Sequence, residues 1–147
     1  METLSQIFTE HHHLLDRLFD AARASIKGGD WMLAEPEFQH FRREIEKHMA
    51  VEESYLFPAM TAGADAQDIA LVEILRKGHQ DLRSFFEEIL EAILSHDAEE
   101  ALALMDTVSI ILEQHDKREE DELYPAVDRL FTGQRGPVLQ AVQLLAA

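Results

Sequence analysis

His48-Met49-Ala50-Val51-Glu52-Glu53 and His115-Asp116-Lys117-Arg118-Glu119-Glu120 decide how this chain is read. In each string a histidine and a glutamate stand four apart. A helix turns by about 100° per residue, so the two side chains lie about 40° apart on one face. The flanks say which face. Phe41, Ile45, Leu56 and Ala59 fall on the side of His48 and Glu52, and Val108, Leu112, Leu123 and Ala126 on the side of His115 and Glu119. Each glutamate therefore points into an apolar stripe, where an unpaired carboxylate is costly and needs a partner.

The two strings lie 67 positions apart, and the offset extends well beyond them. His12 lands on His79, Asp30 on Asp97, and Leu56-Phe57-Pro58-Ala59 on Leu123-Tyr124-Pro125-Ala126, with no gap. His40 and His96 have no counterpart. A repeat of this length is one supersecondary unit used twice. Apolar residues at helical spacing mark four segments, about residues 3–24, 30–60, 65–94 and 97–128. Thr3 with Gln6 reads as a capping box, and Asp97 with Glu100 resembles one with acids in place of the usual pair. Pro36 places the regular start of the second helix near itself. The links Lys27 to Asp30, Thr61 to Asp65 and Ser95 to Asp97 are short, which makes neighbouring helices antiparallel. The expected fold is all-α: an up-down-up-down four-helix bundle in a single domain spanning residues 1–147. Pro137 is placed to open a short fifth helix in the tail, 129–147, docking on its own bundle.

Composition narrows the function. No stretch reaches the roughly 18 apolar residues of a membrane span, and Met1-Glu2-Thr3-Leu4-Ser5 lacks the basic start of a signal peptide; a cytoplasmic protein is expected. The absence of cysteine excludes disulfides and thiolate ligands. A net charge of −16 repels phosphate backbones, so neither nucleic acid nor membrane is an expected partner.

Two core glutamates, each one turn from a histidine on duplicated helices, point to metal. Imidazole with carboxylate suits iron, manganese or zinc, and a carboxylate can bridge two ions. A hydrogen-bonded His–Glu cluster without metal is the bland alternative, but it hardly requires the whole set twice. The expected ligands are His12, His48, Glu52, His79, His115 and Glu119. His11 rivals His12 at the edge of the stripe but maps onto Gly78. His13 points to the surface, His40 is assigned to the core or a helix end, and His96 to a loop. Glu53 and Glu120, five after each histidine, turn outward and are solvated or support the ligands from behind. Asp16 and Arg83 are equivalent in the repeat. They either face each other as a salt bridge near the metals or stay partly exposed, with Asp16 as a further ligand the remaining option. Tyr55, seven after His48, falls near the ligand face, where it packs or donates a hydrogen bond; Glu122 is its counterpart.

With its order His, His-x-x-x-Glu, His, His-x-x-x-Glu and its Leu-Phe-Pro and Leu-Tyr-Pro flanks, the chain resembles the hemerythrin-like superfamily, in its HHE cation-binding branch. The resemblance runs from His12 to about Asp128. It implies a bundle holding two iron ions, oxo- or carboxylate-bridged, with glutamates bridging and histidines terminal. Oxygen carriers of the family have a histidine four after the third-helix one, where this chain has Arg83. They also have an aspartate five after the last histidine, where this chain has Glu119 at four and Glu120 at five. These departures leave a more open site for water, O2 or NO. The implied function is binding or sensing a diatomic ligand, or handling iron, with no catalytic residue assigned. A di-iron oxidase or peroxidase and a metal-free helical interaction module are the alternatives. Glu37-x-x-His40 has the ferritin-type spacing and is unpaired across the repeat.

Overall fold

A computed structural model describes residues 3–131, 140 and 143–145. Among them no strand occurs. The first helix, α1 (Leu4–Lys27), opens with the expected capping box: Gln6 N–H donates to Thr3 Oγ1 at 3.1 Å, and Thr3 N–H to Gln6 Oε1 at 2.7 Å. α2 (Trp31–Val51) starts earlier than Pro36 suggests, because the Asp30 carboxylate caps it by accepting from Leu33 N–H. Pro36 removes one bond, to the carbonyl of Met32, a residue open to water, so the helix tolerates it. A π turn (Glu52–Leu56) then joins α2 to α3 (Phe57–Thr61). α4 (Ala66–Leu94) is capped by Asp65, and α5 (Ala98–Arg118) by Asp97, which accepts from Glu100 N–H at 3.1 Å. A second π turn (Glu119–Leu123) leads into α6 (Tyr124–Leu130).

The long helices form the expected bundle: α1 packs on α2 and α5, and α4 on α5 and α2. Its two hairpin links need a left-handed residue at equivalent places. Gly29 (φ 71°) takes it freely, while His96 (φ 53°) takes it with its ring stacked on Trp31 at 4.8 Å. In the tail Gln140 and residues 143–145 are helical, and Leu145 is buried with Leu4, Phe8 and Leu56, so this described part packs on the chain's own bundle. Pro137 lies outside the described residues. No described helix is long and apolar enough to cross a membrane.

The apolar core is in two parts. One gathers Phe19, Phe38, Phe41, Phe86, Met105 and Val108, and the other Leu4, Phe8, Phe57, Leu75, Leu123 and Val127. On three of the long helices the changeover falls at a histidine: between Phe8 and Leu15 on α1, Leu75 and Leu82 on α4, and Leu112 and Leu123 on the fourth; on the second it falls just past His48, between Met49 and Val51. The bundle is thus two apolar plugs with a polar layer between them.

Candidate metal centre

Both π turns begin at the core glutamates. Their closing bonds run from Phe57 N–H to Glu52 O and from Tyr124 N–H to Glu119 O, five residues back rather than four. Pro58 and Pro125 follow at once. A proline has no N–H, and its ring clashes with the carbonyl four residues earlier, which favours a wider turn. The sequence therefore sets the π turns with a proline at the same position of each repeat.

Four histidines and two glutamates converge in the polar layer. His12, His48, Glu52 and Glu119 each bring one donor atom into a group no more than 4.8 Å across, and Glu52, His79, His115 and Glu119 form a second such group. The two groups share both glutamates, and all six residues are those the sequence singles out. All but His115 are buried. Glu52 Oε1, Glu119 Oε2 and His79 Nε2 are buried with no hydrogen-bond partner. His79 Nε2 nevertheless approaches Glu52 Oε1 to 3.2 Å. Close approach without hydrogen-bond alignment is the arrangement of donor lone pairs directed at a common point. Orphaned polar atoms at this depth are costly, and a cation among them would satisfy all three. The donor set fits a metal.

The fold, the order of the donors and their convergence agree with one family. Residues 3–127 match the description "Hemerythrin HHE cation binding domain". The chain belongs to the hemerythrin family as an HHE cation-binding domain. No curated protein and no solved structure matches the chain.

Outer contacts hold the imidazoles of this hemerythrin domain in place. His12 Nδ1 lies 2.7 Å from Glu120 Oε2, and His79 Nδ1 lies 2.6 Å from Glu53 Oε2. Of the two readings open for Glu53 and Glu120, contact with the imidazoles from behind is the one observed. A carboxylate on Nδ1 fixes that proton and leaves Nε2 free for the centre. His48 Nδ1 is 2.7 Å from His11 Nδ1, and the two rings stack 4.9 Å apart. His11 is therefore a prop for His48, and His12 occupies the centre. His115 is seated differently: its ring lies against Gly78, where a Cβ would come within 2.7 Å of Nδ1.

The reading of His40 needs correction, and for Arg83 and Tyr55 the structure selects among the alternatives left open. Arg83 does not pair with Asp16; it binds Glu46 at 2.8 Å and Glu53 at 2.9 Å, while Asp16 lines a small cavity with Asp116. His40 is exposed on α2 rather than in the core, and it lies within the helix rather than at its end. Tyr55 is not at the centre; its hydroxyl accepts from Gln140 Nε2 at 3.3 Å. The phenol at the centre belongs to Tyr124, which the sequence reading passed over. Its fully buried hydroxyl donates to Glu52 Oε2 at 2.6 Å. The π turn is the reason. On an ideal helix, Tyr124 is five residues and about 140° from Glu119. The wide turn absorbs one residue, so Tyr124 behaves as if four away and joins the inner face, while Tyr55 is carried off it. The pairing of Phe57-Pro58 with Tyr124-Pro125 was the available signal.

Without a cation the centre stores protons. Burial disfavours a charged His79, but Glu119, Glu52 and Glu53 outweigh it and hold the imidazole up at about 11. Burial likewise opposes charge on His12, and Glu119 and Glu120 still hold it well above its ordinary value. Burial opposes an ionised Glu119, yet His115, His12 and His79 hold it well below the carboxylate range. Burial, with Glu119 and Glu52, pushes the Tyr124 phenol well up. Burial also lifts Asp116, 3.4 Å from His12 Nε2, to about 7.

Proposed function

We propose that this hemerythrin domain holds two iron ions, one in each donor group, with Glu52 and Glu119 bridging and His12, His48, His79 and His115 as terminal ligands. The observation that carries this is the sharing of both glutamates by two four-donor groups. Two ions sharing two carboxylates need fewer buried negative charges than two separate sites, and the pair neutralises them. The same donor atoms also suit manganese or zinc.

The ligand we propose is a diatomic molecule, O2 or NO. A reduced iron pair supplies the electrons and the open coordination such a ligand requires. The chain's own part is enclosure. A cavity of about 10 Å³, about the volume available to a single water, is bounded by every donor but His79, by Leu15, Ile45, Met49, Leu82 and Leu112, and by Asp16 and Asp116. The donors face this space, so it is room for the cations, and the apolar side chains round it leave little beyond them for an organic substrate, which favours binding or sensing over an oxidase. Glu53 and Glu120 hold the imidazole tautomers while the ligand comes and goes.

Metal analysis with optical spectra under nitrogen, air and NO tests the reading. About two irons per chain are expected, with a spectrum that changes reversibly on exposure to one of the gases. One iron or none, or two irons whose spectrum is indifferent to both gases, would count against it. Sustained turnover of peroxide would move the protein to the enzyme class.

A further inference from the structure

The repeat duplicates the donors but not what faces them. Tyr124 Oη lies 2.6 Å from Glu52 Oε2, 3.0 Å from His12 Nε2, and 3.1 Å from both Glu119 Oε1 and His48 Nε2. These are the four residues of the first donor group. The equivalent residue, Phe57, instead lays its ring on His79, 5.4 Å between centroids, and brings no oxygen to the second group.

Tyr124 is crowded by the donors of the first group. A phenol has one proton. Glu52 Oε2, the nearest atom, takes it, and Glu119 Oε1 is then a second acceptor facing the same oxygen. His12 has Nδ1 on Glu120 and turns Nε2 toward both the phenol and Glu119 Oε1. The spacing also suits a cation. Donors about 2.1 Å from one ion, at right angles about it, stand about 3.0 Å from their neighbours. The hydroxyl keeps close to that distance from all four atoms.

We propose that Tyr124 supplies its phenol oxygen as a fifth donor to the cation held by His12, His48, Glu52 and Glu119, so that the two half-sites differ in their ligands. The proposal rests on the reading that both donor groups hold cations. As the cation–oxygen bond forms, the O–H bond breaks and its proton is released to solvent; no electron moves. A phenol oxygen is a hard, charge-donating ligand. It favours the ferric ion on that side, while the Phe57 side is left to the histidines and shared carboxylates.

The test uses the full chain loaded with ferrous iron and then oxidised. Iron content is measured beside visible absorption and resonance Raman spectra. A phenolate-to-iron charge-transfer band with tyrosine ring modes is expected. It should vanish in Tyr124→Phe and persist in Tyr55→Phe. The chain has two tyrosines, so a band that survives Tyr55→Phe belongs to Tyr124 even where Tyr124→Phe fails to fold. Two irons without the band, or a band lost in Tyr55→Phe, would overturn the assignment and leave the dinuclear reading standing. Failure to take up iron would instead remove the dinuclear reading, and this proposal with it.

Discussion

Gly78→Ala separates the demands of the fold from those of the metal. Gly78 lies inside α4, where alanine is favoured by about 0.8–1.0 kcal/mol on helix propensity alone. The added Cβ would come within 2.7 Å of His115 Nδ1 and 3.1 Å of Cε1. An ordinary contact is about 3.5 Å, so the ring must retreat by about 0.8 Å. The metal-free protein can allow this, because His115 is at the partly exposed edge of the layer and its ring can swing toward solvent. A bound cation cannot, since ligand distances tolerate only about 0.2 Å. The metal-free variant should therefore match or exceed the wild type in stability, by up to about 1 kcal/mol or about 2–4 °C in Tm. Cation content should fall from about two per chain to about one, with His12 and His48 unaffected. Urea melts with and without metal, and metal content after desalting, measure both effects. A variant that keeps two cations at wild-type affinity would refute the role given to His115. So would a metal-free variant weakened by more than about 2 kcal/mol, because the ring would then be fixed by the fold itself.

Glu52→Gln should empty both half-sites, whereas Glu53→Gln, which alters the support of His79 and the ion pair with Arg83 but removes no donor, should lower affinity roughly 10–100-fold; equal losses in metal titrations would mean that the helix phase is wrongly assigned. His12→Ala should lose one cation and His11→Ala should keep two with about tenfold weaker binding, and the reverse result from metal analysis would move the ligand by one position. In the metal-free protein the stability due to His79 is fully present below its ordinary 6.5 and is lost as pH rises through about 11. Urea melts from about pH 6 to about pH 10 should therefore show falling stability without metal, and rising affinity for metal as protons cease to compete. A metal-free profile that rises over this range would contradict the electrostatics described above.

The fold and the convergence of the six inward side chains were legible for one reason: both depend on a 3.6-residue period that a sequence displays directly. Asp30, Asp65 and Asp97 announced helix starts, and the 67-residue offset chose His12 over His11 without knowledge of the fold. What was hidden lies beyond the two π turns, where the period changes. Tyr55 was placed near the ligand face and Tyr124 passed over through the same one-residue error in phase. Long, flexible side chains were hidden too. Arg83 turned to Glu46 and Glu53 on the neighbouring helix rather than to Asp16, because nearby carboxylates offered two partners for one guanidinium.

The failures of the repeat say more about the centre than its successes. Tyr124 replaces Phe57, His11 stands where the other half has Gly78, Asp16 where it has Arg83, and Asp116 where it has Met49. All four differences surround the donors, and the donors themselves are identical in kind. Glu53 shares its charge with Arg83, whereas Glu120 has Asp16 and Asp116 nearby, around the same groove. The potential on the His12 side is accordingly the more negative, which stabilises higher cation charge there. Duplication supplied the paired ligands, and unequal surroundings make the two proposed ions chemically distinct. A dinuclear centre that binds a diatomic ligand at one end needs this inequality, because two equivalent ions would give the ligand no preferred side.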